Sequence, residues 1–275
     1  MKQVQSRKAK FLAGIFIGVF AAWTLAPLLI MLYVSLTYSG ISSGGGQRTF
    51  VGLENYYAVL KDPINDFSQS LWTSLILSST VSLVSLLLGV PAAYALTRGK
   101  GKGIRRIGGW IFSTRFLPPV VAAVPLFVLL QPLNLVGSFA GLVLVDLLIG
   151  LPFTIWVIRS YLADVPIEME DLATVDGLSL TKRLLYVVLP NVKLPMIAIS
   201  AFTWLLIWNE YFFALLFGGA WRPLTVLIAS YTTYQGVQWG AACAAGVMAG
   251  VPAVVILVVS FRLVLRGFAF GWKDV

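Results

Sequence analysis

The chain has 275 residues, 59% of them hydrophobic and only 11% charged, whereas soluble domains are about 25% charged. A water-soluble fold could not hide that much apolar surface. Histidine is absent and Cys243, within an apolar run, is the single cysteine, which excludes a disulfide framework, a Cys/His zinc site and imidazole acid–base chemistry. The formal charge of +9 fits basic loops beside membrane spans rather than a nucleic-acid surface.

A bilayer core of about 30 Å needs about 20 apolar residues per helix, and six stretches qualify, near 11–37, 69–97, 107–132, 139–161, 194–217 and 240–265. The fold class is therefore an all-α membrane bundle of six transmembrane helices, a single domain over residues 1–275. The first stretch, Phe11 to Leu36, would reach about 39 Å as a helix, too long for a secretory signal, and is expected to be retained. In the second, Ser78, Ser82, Ser85 and Gly89 form a small-residue stripe, and Gly246 with Gly250 makes a similar step in the sixth. Such stripes let helices approach closely in lipid. The segments outside the spans reach only about 32 residues, too few for a separate soluble core.

Charge distribution sets the orientation. Lys2, Arg7, Lys8 and Lys10 precede the first span; Arg98, Lys100, Lys102, Arg105 and Arg106 follow the second. Arg159, Lys182, Arg183 and Lys193 surround the loop after the fourth, and Arg262, Arg266 and Lys273 end the chain. The opposite side holds only Arg48, Lys61 and Arg222, so both termini are expected in the cytoplasm. Arg115, Asp146 and Glu210 fall inside the apolar stretches, away from the basic residues that flank their cytoplasmic ends. Each costs roughly 2.5–3.5 kcal/mol in hydrocarbon, so each should face a cavity, a partner helix or the interface. Arg115, near one end of its span, can also snorkel.

The most informative segment is the cytoplasmic loop, residues 162–193. Pro166 suits a first helical position, and Glu168, Glu170 and Asp171 complement the positive end of a helix dipole. Gly177 can take the left-handed conformation that ends a helix, Ser179 can cap a second one, and Pro190 and Pro195 limit its extent. The expected unit is helix, sharp turn, helix. At about 100° per residue, Glu168, Asp171, Leu172 and Val175 share one face, both acidic and apolar. A helix lying on lipid would carry Lys and Arg, whereas this one carries Glu168, Glu170, Asp171 and Asp176 with no base among them. That face suits a groove in a partner protein.

This loop resembles the permease subunits of binding-protein-dependent ABC importers. Their cytoplasmic motif is Glu-Ala-Ala, a glycine four residues on, nine residues, then Ile-x-Leu-Pro. Here Asp171-Leu172-Ala173, Gly177 and Val187-Val188-Leu189-Pro190 stand at the same spacing, with Asp171, Leu172 and Val187 as departures. Gly52 to Tyr56, Pro91 to Leu96, Trp208 to Tyr211, and Arg266-Gly267 through Lys273 are similar to the carbohydrate branch, close to the smaller six-span permease of maltose-type systems. The resemblance implies a type I ABC importer permease fold in a bacterial inner membrane. It implies as partners a second permease, so that the membrane pair is a heterodimer, two ATPase subunits that bind ATP and Mg, an external solute-binding protein, and membrane lipid. It makes the loop around Asp171, Ala173 and Gly177 the coupling helix seated in an ATPase cleft, with Arg266, Gly267 and Lys273 as a second ATPase contact; Glu168, Glu170, Leu172, Val175, Asp176, Leu189 and Pro190 are expected to complete the docking loop. No catalytic, metal or cofactor residue is implied for this chain.

Gly44-Gly45-Gly46-Gln47 has the look of an ATPase signature loop, but the chain contains no GxxxxGK[ST] phosphate cradle, so a glycine linker is the simpler reading. For the solute path, Trp208, Asn209, Glu210 and Tyr211 combine aromatic faces with hydrogen-bonding groups, as a sugar ring requires; an interfacial aromatic belt is the alternative. Two rival functions remain at this level. An ion-coupled secondary carrier would use Asp146, Glu210 and Arg115 as a relay, and a polytopic membrane enzyme would need acid–base groups, against which the absence of histidine and of clustered intramembrane carboxylates counts.

Overall fold

The computed structural model describes residues 2–41, 47–234 and 236–271. The Gly44–Gly46 run lies outside them. Two compact units are formed, Met1–Phe67 with Ile228–Gly250, and Ser68–Leu227 with Val251–Val275.

In the first unit, α1 (Lys2–Leu36) leads into an antiparallel hairpin of β1 (Thr37–Ile41) and β2 (Gln47–Val51), with Thr37 opposite Val51. Helix α2 (Glu54–Leu60) is tied to the end of α1 by side chains: Asn55 Nδ2 donates to the carbonyls of Ser35 (2.9 Å) and Thr37 (2.8 Å), and the Ser35 and Tyr56 hydroxyls lie 2.8 Å apart. These bonds occupy carbonyls that a helix end leaves free.

In the second unit, α3 (Phe67–Arg98), α6 (Phe139–Ala163) and α9 (Leu189–Trp208) form the centre. A Cβ added at Gly150 on α6 would meet Ser85 Oγ at 2.8 Å and Thr203 Cγ2 at 3.1 Å, so α3, α6 and α9 converge there. A Cβ at Gly89 would lie 2.9 Å from Thr154 Cγ2. Because 85 faces 150 and 89 faces 154, α3 and α6 run in the same direction. Ser78, Ser82 and Ser85 are all buried in this seam, the close approach that a small-residue stripe permits.

The third apolar stretch is not one straight helix. It divides into α4 (Lys102–Thr114) and α5 (Pro119–Leu130), which with its following turn lies at 106° to α4. Pro118 and Pro119 supply the break, since neither can donate a backbone N–H and each disfavours helix in the residue before it. Among the described residues five helices are long and apolar enough to cross a membrane, and the α4–α5 pair makes six if counted as one crossing.

The fifth stretch differs in both directions. After α7 (Ile167–Val175) the chain forms α8 (Leu180–Arg183) and runs through a π-type turn at Leu184–Val188 into α9, so that Leu180–Trp208 is one helix. Pro190 and Pro195 do not stop it. The wider turn, in which the Leu189 N–H bonds Leu184 O, absorbs the donor missing at Pro190. Past Trp208 the span is broken, and α10 (Phe212–Phe217) starts afresh before α11 (Leu224–Ser230). A two-residue ladder, β3 (Thr232–Thr233) and β4 (Gly236–Val237), precedes α12 (Trp239–Gly271).

Candidate functional site

Helix α7 begins with Pro166 at its N-cap, one residue before the position its sequence suggests. It ends in a Schellman arrangement: the Gly177 N–H bonds Thr174 O and the Leu178 N–H bonds Ala173 O, each at 3.0 Å, with Gly177 at φ +78°. A left-handed residue here reverses the chain and satisfies two terminal carbonyls. Ser179 precedes α8 in extended geometry but makes no side-chain cap bond. Instead, Arg183 Nη1 reaches back to Thr174 Oγ1 at 2.7 Å, and that hydroxyl donates to Glu170 O at 2.8 Å, so the start of α8 is fastened to α7.

The two sides of α7 have separate tasks. Glu168, Asp171, Leu172 and Val175 are exposed, Leu172 at 68% and Val175 at 86%, and Asp176 joins them at the helix end. Ala173 faces inward. So does Glu170, which corrects its assignment to the docking face: it is 3% exposed, accepts from the Tyr94 hydroxyl at 2.6 Å and pairs with Arg98 Nε at 2.8 Å. Arg98 Nη2 also donates to Val165 O at 2.8 Å. Tyr94 and Arg98 lie in the last turns of α3, so α7 is bolted to that helix by a buried, charge-assisted clamp. Sequence spacing placed Glu170 near the acidic face but could not supply its partners, which lie more than seventy residues earlier. Downstream, Leu189 is half-buried and Pro190 exposed in α9. Lys273 lies outside the described residues, and Arg266 and Gly267 are described only as helical backbone.

The structure separates the residues proposed for the solute path. Trp208 is 5% exposed and stacks on Trp204, centroids 4.6 Å apart. Asn209 Nδ2 turns back to Leu205 O at 2.7 Å. The Glu210 carboxylate accepts from the Phe213 and Ala214 N–H groups at 2.8 and 2.9 Å, capping α10, while Tyr211 is partly exposed. Glu210 is thus the device that restarts the broken helix. The better groove was missed in the sequence. A cavity of about 400 Å³ lies between α3, α9 and the later part of α12, lined by Ser79, Ser82, Ser200, Ser260 and Trp204, with Trp204 Nε1 donating to Ser79 Oγ at 3.1 Å. Only the apposition of three helices distant in sequence brings these hydroxyls together. Of the residues suggested for a secondary carrier's relay, Asp146 and Glu210 lie within electrostatic reach of each other, but among the described residues no ion pair joins Arg115 to either. Arg115 packs over the Phe153 ring at 4.3 Å, Glu210 is spent on its cap, and both Asp146 oxygens lack a partner among the described residues.

Residues 85–269 match the family described as binding-protein-dependent transport system inner membrane component. The chain belongs to that family. This permease is 31% identical over 72% of its length to a putative ABC transporter permease of Streptomyces antibioticus, covering 87% of that protein. It is 29% identical to the trehalose/maltose transport system permease MalG of Thermococcus litoralis, over 90% of each chain. Its fold is shared with a bacterial ABC transporter involved in import of the acidic polysaccharide alginate, at TM-score 0.77 and 23% identity, over 94% of this permease and 97% of that chain. It is therefore a type I ABC importer permease, a multi-pass inner-membrane transport component, with ATP hydrolysed on a separate subunit.

Proposed function

We propose that this permease is one membrane subunit of an ATP-driven importer for a carbohydrate or polyol, working with a second permease, two ATPase subunits that hold ATP and Mg, and an external solute-binding protein. The whole chain acts as one permease domain with both termini cytoplasmic. The sugar class is supported by the trehalose/maltose relative and the alginate importer fold, and by the groove beside Trp204, whose mainly aliphatic wall (Leu83, Leu86, Ile197, Ile256, Leu263) carries an aromatic ring and serine hydroxyls of the kinds a sugar face meets.

One observation carries the docking assignment: α7 exposes an acidic and apolar face while its opposite face is clamped to α3. A helix so mounted passes force rather than absorbing it. Closure of the ATPase pair pushes on Asp171, Leu172 and Val175, the Glu170–Arg98 pair carries the displacement into α3, and the seam at Gly150 hands it to α6 and α9. Arg266, Gly267 and Lys273 add a second contact at the C-terminal tail. A cysteine at Val175, in a background with Cys243→Ala so that it is the single thiol of the permease, tests this in the intact importer. Crosslinking from Val175→Cys should recover the ATPase subunit, and recovery of only lipid or of no nucleotide-hydrolysing chain would overturn the assignment.

A further inference from the structure

A second cavity, of about 390 Å³, lies at the cytoplasmic end of α6 beneath α4 and belongs to neither the docking helix nor the serine groove. Arg105 and Arg159 stand in its wall with Trp156, Phe112 and Gly109. The Arg159 guanidinium rests on the Gly108 backbone, 3.5 Å from where a Cβ would be. Neither Arg105 nor Arg159 has a carboxylate or hydrogen-bond partner for its side chain among the described residues. The surroundings offer none: the sequence holds no acidic residue between Asp66 and Asp146, yet it places Arg98, Lys100, Lys102, Arg105, Arg106 and Arg115 in that stretch.

The mount of α4 explains the setting. Phe112 packs on Trp156 with centroids 6.0 Å apart and Arg115 lies over Phe153 at 4.3 Å. Gly108 meets Arg159. The helix thus runs antiparallel along α6, Gly108 facing Arg159, Phe112 facing Trp156 and Arg115 facing Phe153. On a wheel of about 100° per residue, Lys102, Arg106 and Ser113 share one side and Ile104, Ile107 and Ile111 the other. Such a helix lies at a membrane interface. Phe112 (38%) and Trp156 (47%), both in the cavity wall, are exposed there, as rings at the headgroup level are.

From the paired unpartnered guanidiniums, the missing counter-charge and this apolar rim, we infer that the α4–α6 cavity binds the phosphodiester headgroup of an anionic phospholipid from the cytoplasmic leaflet. Arginine forks suit phosphate oxygens, and basic pockets between helices on this side are where such headgroups bind. A free phosphate would satisfy the guanidiniums but leave the aromatic rim unused.

The test uses the intact importer in nanodiscs of phosphatidylcholine with phosphatidylglycerol, released for native mass spectrometry. Wild type retains phosphatidylglycerol, and Arg105→Gln with Arg159→Gln lowers retention about ten- to thirtyfold, as expected for about one charge contact from each arginine. Lys10→Gln with Lys100→Gln, which removes equal charge from exposed positions, leaves retention unchanged. Gly109→Leu keeps both arginines and fills the cavity, and it too should lose the lipid, since a Cβ at Gly109 meets nothing within 4 Å and the helix accepts it. Equal loss in the Lys10/Lys100 control would overturn the site in favour of diffuse attraction. Displacement by millimolar inorganic phosphate would make the ligand a free anion, and a crosslink from Arg159→Cys to the sister permease would make the cavity a protein contact; either result overturns the lipid assignment.

Discussion

Removing the Glu170 side chain tests the clamp directly. Glu170 accepts one bond from the Tyr94 hydroxyl and one from Arg98 Nε. Bonds to a charged group are each worth about 1.5–3 kcal/mol net, and stripping one member from a buried pair costs about 3–5 kcal/mol. The Arg98 side chain is 17% exposed and can recover some hydration, so the lower end of about 3 kcal/mol is appropriate for Glu170→Ala. If that energy holds α7 against α3, its loss raises local opening of α7 about 150-fold. Glu170→Gln, which keeps an acceptor without the charge, should raise it about tenfold.

Hydrogen exchange in the intact importer reads this at amides whose partners are known: Asp176 to Leu172 O, Gly177 to Thr174 O and Leu178 to Ala173 O. Exchange there should accelerate in the order Gln then Ala, while amides at the α6–α9 seam keep wild-type rates. Solute imported per ATP should fall in parallel, because a loosened lever moves without α3. Exchange in Glu170→Ala within about threefold of wild type would show that the clamp carries little energy, and the proposed force path would go with it.

At the turn, Gly177→Ala should cost about 1–2 kcal/mol from backbone strain alone, because φ is +78° while its Cβ would meet nothing; Gly177→Asn should retain most uptake, and equal uptake in Gly177→Val would refute a left-handed requirement. At the helix seam, Gly150→Ala should destabilise by about 1–3 kcal/mol in a thermal melt, with partial rescue by Ser85→Ala, since Ser85 Oγ is the nearest obstacle. Asp146→Leu should leave uptake within about threefold and raise the melting temperature, as a buried carboxylate without partners costs about 1–3 kcal/mol; abolished uptake would restore the relay. Between α2 and α3, burial pushes the Asp62 carboxyl up, but the Asn65 side chain and the Ile64 and Asn65 N–H groups outweigh it and hold the carboxyl below its ordinary value. Its contribution is therefore present above the unfolded value of about 3.9 and lost as pH falls through the folded one, so exchange at Ile64 and Asn65 should rise only in strong acid. A rise near neutrality would contradict that sign.

What the sequence revealed and what it concealed follow from the range of the interactions. The turn at Gly177 and the outward face of Glu168, Asp171, Leu172 and Val175 are local, set by helical periodicity and one backbone conformation, and they are legible in a window of a dozen residues. Hydropathy likewise located the apolar stretches because burial in lipid is a bulk property. It could not reveal that Pro118 and Pro119 bend the third stretch by 106°, or that Glu210 ends one helix and caps the next. Prolines and acids inside apolar runs are compatible with either a continuous or a broken span, and the choice depends on neighbours that supply or withhold hydrogen bonds. The serine groove beside Trp204 is further from reach, since its walls come from three helices.

Glu170 and Asp171 show why adjacent acids in such a loop should not be assigned one role. Successive helical positions point about 100° apart, so two neighbouring carboxylates on an exposed helix cannot both serve the same groove with equal reach. Glu170, turned inward, finds Tyr94 and Arg98 and fixes where α7 stands; Asp171, turned outward, has no side-chain bond among the described residues and stays available. Exchanging the two types of contact would defeat the helix: an unpaired acid against α3 would leave Arg98 without its counter-charge, and a clamped acid on the outer face would have nothing left for a partner. The division also orders the consequences of mutation. Asp171→Ala should weaken ATPase association while α7 exchange stays at the wild-type rate, whereas Glu170→Ala should loosen α7 first and association second. If both substitutions changed exchange and association equally, the inner and outer faces would not be mechanically distinct, and α7 would be a tether rather than a lever.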